Sequence, residues 1–221
     1  MQGEKKFRAE YEVVFVLLLV AVLNATIYAA LRTNKDLNSL LFGREILVTL
    51  WQYAMIIGVI VLLLWSRKMK ILKYGIYAIL ALMTFHIFQN LYYLIVTPQI
   101  QDKGGAILVD AMLIWIANVC VFSLWYWVLD AGGPIARYID SHKQKTDFLF
   151  PQQQNSIEGW QGWRPQFADY VSLSFFTSTG FTPADVLPLS QRVKILMVME
   201  ASVSLVIIGM VTSRAINLIG N

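Results

Sequence analysis

The sequence predicts an all-α polytopic membrane protein with five transmembrane helices and one re-entrant helix. Three observations predict it. Of the 221 residues 57% are hydrophobic and only 14% charged, whereas an ordinary soluble domain carries about 25% charged residues. Four predominantly apolar runs, 13–30, 46–65, 74–96 and 107–129, are each long enough to cross roughly 30 Å of hydrocarbon at about 1.5 Å per residue. A fifth, 193–216, is as long but carries Glu200 and several serines. The alternation over about ten residues that marks a membrane β-barrel is not visible.

The first run follows Lys5, Lys6 and Arg8, as the core of a signal peptide would. It exceeds the usual core of about 7–15 residues and continues into Tyr28-Ala29-Ala30-Leu31-Arg32, so a retained helix is expected. The second run ends at a compact basic turn of Arg67, Lys68, Lys70 and Lys73. The third carries His86, Gln89 and Asn90 on one helical face. These should hydrogen-bond across helices, with Asn118 of the fourth run as a partner, rather than ligate a metal. Cys120, the single cysteine, also lies in the fourth run and leaves no intramolecular disulfide. Ala131-Gly132-Gly133-Pro134 stops that helix and opens a linker with a polar tract at 152–155 and two tryptophans, Trp160 and Trp163. Tryptophans of this kind settle at membrane interfaces. The chain therefore divides into a four-helix transmembrane region at 1–130, a linker at 131–166, and a short helix, loop and final helix at 167–221.

Segment 167–178 is apolar but too short to cross, since about twelve residues make a helix of roughly 18 Å. Asp169 suits the positive end of its dipole, and the negative end points at Thr177-Ser178-Thr179-Gly180-Phe181-Thr182. Asp185 and Pro188 follow, then the last helix. A helix that dips in, turns at a threonine and glycine string and then gives way to a span has the layout of a pore loop. A selectivity filter lines up carbonyl and hydroxyl oxygens to replace the water shell of an ion. Threonines supply hydroxyls, and glycine accepts backbone angles other residues resist. Thr177, Ser178, Thr179, Gly180, Phe181, Thr182 and Asp185 are thus the candidate ion pathway. Non-helical backbone at that depth must lie within protein or beside water, and one copy cannot enclose an axis. Several subunits are expected.

In the final helix Glu200 is a candidate for support. An ionisable group in a span costs about 2.5–3.5 kcal/mol on insertion scales and so faces protein or water. It either pairs behind the filter with a hydroxyl of the short helix or lines a wet cavity. Ser204 and Gly209, with Ser202, Thr212 and Ser213, suit close helix approach and equally a wet inner wall bending at Gly209.

At these residues the chain is similar to the pore of bacterial two-transmembrane potassium channels and their relatives. The match runs Tyr170-Val171-Ser172-Leu173-Ser174-Phe175-Phe176-Thr177-Ser178-Thr179-Gly180-Phe181, then Asp185-Val186-Leu187-Pro188-Leu189-Ser190. Family members read approximately Y-F-S-x-x-T-x-T-T-x-G-[YF]-G-D-x-x-P-x-T. Arg192, Met199-Glu200-Ala201 and Thr212-Ser213-Arg214 also stand at family-like positions. The outer filter departs, with Gly180-Phe181-Thr182-Pro183-Ala184-Asp185 in place of G-[YF]-G-D. A single glycine in S-T-G-F-T also resembles the loops of Trk/Ktr-type potassium transporters. The resemblance covers roughly the last quarter of the chain. It implies a homotetrameric pore for monovalent cations, potassium or sodium, and the altered outer filter implies weak discrimination between the two.

The net charge of +4 sits in short flanks beside apolar runs, where it sets membrane orientation, and does not point to nucleic acid. No phosphate-cradling loop, H-E-x-x-H or nucleophile elbow is present, so no enzyme and no cofactor are expected beyond permeant potassium or sodium. The expected partners are further copies of the chain and membrane lipids. Most of the lysines and arginines fall on the side shared by the N-terminus, the 67–73 turn and the linker. The positive-inside rule puts that side, with the pore loop, in the cytoplasm of a bacterial inner (plasma) membrane, whereas the resembling channels enter from outside. The competing function class is a non-conducting scaffold or sensor that keeps the pore-loop fold, and a weaker one is a transporter-like subunit.

Overall fold

The computed structural model describes residues 69–96, 104–139, 145–153, 159–180 and 186–219. The spans expected at 13–30 and 46–65 lie outside the described residues, as do Phe181, Thr182 and Asp185 of the loop. What is described is mostly helical. Five helices run in chain order: α1 (Met69–Val96), α2 (Gly104–Leu129), α3 (Pro134–Ile139), α4 (Phe167–Thr179) and α5 (Gln191–Ile219). Among the described residues three helical stretches are long and apolar enough to cross a membrane: Lys73–Tyr92, Leu108–Gly132 and Gln191–Ser213. These are the third, fourth and fifth spans read from the sequence.

The described residues fall into two compact units. One holds Asn118–Gly209, and the other holds α1, α2 as far as Ala117, and α5 from Met210 onward. In the second unit Ile76, Ile79, Leu80, Met83, Ile87 and Leu91 are buried. Their spacing of three and four residues places them on one face of α1. Tyr74, Phe85, Phe88, Tyr92 and Ile95 of the same helix are exposed. Thr84, within the buried face, returns its hydroxyl to the Leu80 carbonyl at 2.8 Å, so no polar group is stranded there.

The first unit is organised by how α2 ends. A 3-10 turn at Asp130–Gly132 follows Leu129, with Ala131 at φ 50° and Gly133 at φ 102°. Three successive residues at positive φ, Ala131, Gly132 (φ 79°) and Gly133, turn the chain, and α3 then starts with Pro134 at its first position, where a missing N–H costs nothing. The last carbonyls of α2 have no partners within the helix. Arg137 of α3 supplies them: its Nη1 donates to the carbonyls of Trp127 (3.0 Å) and Asp130 (2.6 Å). Arg192, at the start of α5, donates to the Leu129 carbonyl at 3.3 Å.

Beyond α3 the linker returns as β1 (Phe148–Leu149), which pairs antiparallel with β2 (Leu187–Pro188) in the register Phe148 with Pro188. Since β1 precedes α4 and β2 follows it, this short pair joins the entrance and exit of the segment that holds α4. Phe148 and Phe150 are buried and stack edge-on against Tyr126 and Tyr170 at centroid distances of 5.3–6.3 Å. Trp163 meets Phe150 at 5.6 Å, so one of the two linker tryptophans packs on this aromatic group, while Trp160 is exposed.

Candidate functional site

Helix α4 has 13 residues and is therefore about 20 Å long, well short of the roughly 30 Å of a bilayer core. Its start is fixed by a capping box. The Asp169 carboxylate accepts from the Gln166 N–H at 2.7 Å, and the Gln166 side chain accepts from the Asp169 backbone in return. Its end is fixed by Gly180, left-handed at φ 75° and ψ −1°. Thr177, Ser178 and Thr179 form its last turn, one residue beyond the helix expected from sequence. Their hydroxyls donate backward: Thr177 to the Leu173 carbonyl (2.8 Å), Ser178 to Phe175 (2.9 Å), and Thr179 to Phe175 and Phe176 (3.0 and 3.2 Å). A hydroxyl that donates in this way keeps its lone pairs for a cation. Gly180 is exposed, Thr177 and Thr179 are half-buried, and Ser178 is buried.

The middle of α4 is held by its neighbours in the first unit. Glu200 of α5 is 0% exposed, and its carboxyl group bonds both Tyr126 of α2 and Ser174 of α4. Ser174 also donates to the Val119 carbonyl of α2 at 2.8 Å. Asn118 donates through Nδ2 to the Glu200 carbonyl (3.3 Å) and to Ser204 Oγ (2.9 Å). Of the two roles read for Glu200, this geometry places it behind the short helix, bonded to a hydroxyl. Ser204 is 1% exposed and faces Asn118, a support between helices. Gly209 is exposed, and open space surrounds the position a side chain there would take. The sequence paired Asn118 with His86, Gln89 and Asn90, and the structure turns its amide nitrogen to α5.

A second polar cluster lies at the linker and went unread in the sequence. Asp130, 0% exposed, accepts from the backbone N–H of Asp147 (2.7 Å) and Phe148 (3.2 Å) through Oδ1, and from the Tyr170 hydroxyl (2.5 Å) through Oδ2. Arg137 lies 3.8 Å from the same Oδ2 and stacks over the Tyr170 ring at 5.3 Å. Asp147, also buried, takes a two-pronged bond from Arg192, with Nε at 2.8 Å and Nη2 at 2.5 Å. The linker, the end of α2, the start of α5 and the first turn of α4 are thereby joined through side chains.

Burial works to raise the Asp147 carboxyl, but the hydrogen bonds and charge of Arg192 outweigh it and hold the group below its ordinary value. A carboxyl lowered in the folded state contributes stability that is fully present above its unfolded value of about 3.9, and is lost as pH falls through the lower folded value. Thermal unfolding in micelles should therefore separate wild type from Asp147→Asn at neutral pH. The two curves should converge in acid, below the unfolded value. A constant gap down to strong acid would contradict the pairing.

No group of three or more histidine, cysteine, aspartate or glutamate side chains that could hold a metal ion occurs among the described residues. Compared with family models, with curated proteins and with solved structures, the chain matches none.

Proposed function

We propose that the chain is the subunit of a homotetrameric pore for monovalent cations, potassium or sodium, with α4 as its re-entrant helix. One observation carries the reading: a helix too short to cross, capped by a left-handed glycine, ends in three hydroxyl residues and is gripped at its middle by the flanking spans. The C-terminal end of a helix is partially negative and favours a cation. Lipid cannot satisfy backbone groups left open at such an end, so further copies of the chain must surround it. Residues 177–182 and Asp185 line the ion path, and Glu200 and Ser204 support it. The altered outer filter leaves weak discrimination between the two ions. In this reading the N-terminus and the pore loop face the cytoplasm.

The test is native mass measurement together with ion flux from purified protein in liposomes. A tetramer passing both potassium and sodium is expected. A monomer or simple dimer would remove the pore, and a tetramer with no flux would favour the scaffold or sensor instead. Gly180→Ala should abolish flux. Its added methyl meets nothing within 4 Å, so the damage comes from the backbone angle, which alanine resists. Unchanged flux would take Gly180 out of the ion path. For sidedness, Asn155→Cys in a Cys120→Ser background should resist impermeant thiol reagents in intact cells. Ready labelling would reverse the orientation.

A further inference from the structure

We propose that Glu200 is held as the neutral carboxylic acid and gives its own proton to Ser174. Ser174 has one hydroxyl hydrogen and two oxygen neighbours, the Val119 carbonyl at 2.8 Å and Glu200 Oε1. A carbonyl oxygen can only accept, so the serine hydrogen belongs to Val119. The hydrogen between Ser174 Oγ and Glu200 Oε1 must then come from the carboxyl group. The other carboxyl oxygen, Oε2, accepts from the Tyr126 hydroxyl. Every donor in the cluster thus finds one acceptor, in a single direction: Tyr126 to Glu200, Glu200 to Ser174, Ser174 to the Val119 carbonyl.

The surroundings agree. From α2 the carboxyl group meets Tyr126, while Asn118 bonds the Glu200 backbone and Ser204 rather than the acid. From α4 it meets Ser174. Among the described residues the ion pairs of this unit, Arg137 with Asp130 and Arg192 with Asp147, lie in the linker cluster and not here. An ionised carboxylate with no cation beside it among the described residues, wholly removed from water in a span, would carry a desolvation cost of several kcal/mol that a neutral acid avoids. Glu200 is thereby a positioning residue. Its relayed bond closes a circuit from α2 through α5 to α4 and back to α2, and it fixes Ser174 less than two turns from Gly180. The assignment stands whether or not the loop conducts.

The experiment is infrared spectroscopy of the full chain in lipid at neutral pH, made with glutamate carrying 13C in its side-chain carboxyl. A carboxylic-acid C=O band should be present, should shift to lower frequency with the label, and should be missing from Glu200→Gln. That variant should also retain the oligomeric state and thermal midpoint of wild type, because its amide can donate to Ser174 and accept from Tyr126. Glu200→Ala should lose both. A labelled wild type with carboxylate bands alone overturns the proposal without recourse to any variant. Glu200→Gln falling to the level of Glu200→Ala overturns the donor role.

Discussion

Asp130→Ala is expected to be the most damaging single substitution in the described part of the chain. It would leave the Asp147 and Phe148 N–H groups, the Tyr170 hydroxyl and the Arg137 guanidinium without their shared acceptor, all in a buried setting. Removing one partner of a buried charged pair costs about 3–5 kcal/mol, because the remaining charge stays unpaired. Urea or thermal unfolding in micelles should register a loss of that order. Asp130→Asn should fall between. Its amide oxygen can still serve the two backbone N–H groups and its NH2 can donate to the Tyr170 oxygen, but it no longer accepts the Tyr170 hydrogen and carries no charge to pair with Arg137. If Asp130→Ala stays within about 1 kcal/mol of wild type, the linker is not tied down through this carboxylate.

The second large effect is expected at Gly133. Its φ of 102° lies where L side chains are strained, and a methyl group there would sit 3.0 Å from the Val128 backbone carbonyl. Backbone strain alone costs about 1–3 kcal/mol, and the carbonyl cannot move aside without disturbing the last turn of α2. Gly133→Ala should therefore destabilise the fold more than Gly180→Ala, whose methyl enters open space. In flux the order should invert at temperatures where both variants remain folded, since Gly180 borders the loop and Gly133 does not. A Gly133→Ala protein with an unchanged unfolding midpoint would mean that the turn relaxes to another conformation.

What the sequence made legible was set by local patterns. Three spans, the short helix and its capping aspartate follow from apolar run length and from residues three or four apart. Glu200 announced itself as an ionisable group in a span, and the choice between its two roles needed partners that no local window contains. Tyr126 and Ser174 are 74 and 26 residues away in sequence. The linker cluster was missed for the same reason: Asp130 binds groups 17, 18 and 40 residues distant. One signal could have found it. An aspartate at the C-terminal end of an apolar helix opposes the helix dipole, and so calls for compensation such as Arg137 provides. The linker read as a tryptophan-anchored surface segment, yet Phe148 and Phe150 supply the centre of the packed aromatic group, with Trp163 against Phe150 and the more exposed Trp160 edge-on to Trp163. The bonds from Asn118 to α5 were not legible either, because helical periodicity fixes which residues share a face, not which helix that face meets.

The guanidinium groups that close the end of α2 have a consequence for how this unit meets bilayers of different thickness. A helix end left to water and lipid headgroups can adjust by itself, by tilting or fraying, when the hydrocarbon around it thickens or thins. Here the last carbonyls of α2 are bound to α3 and to the first turn of α5, and the paired strands hold both ends of the α4 segment to the same place. Mismatch cannot be relieved by one helix alone. Strain from lipids of the wrong chain length should instead be shared by the whole clasped end, and its effect should be felt where α4 terminates.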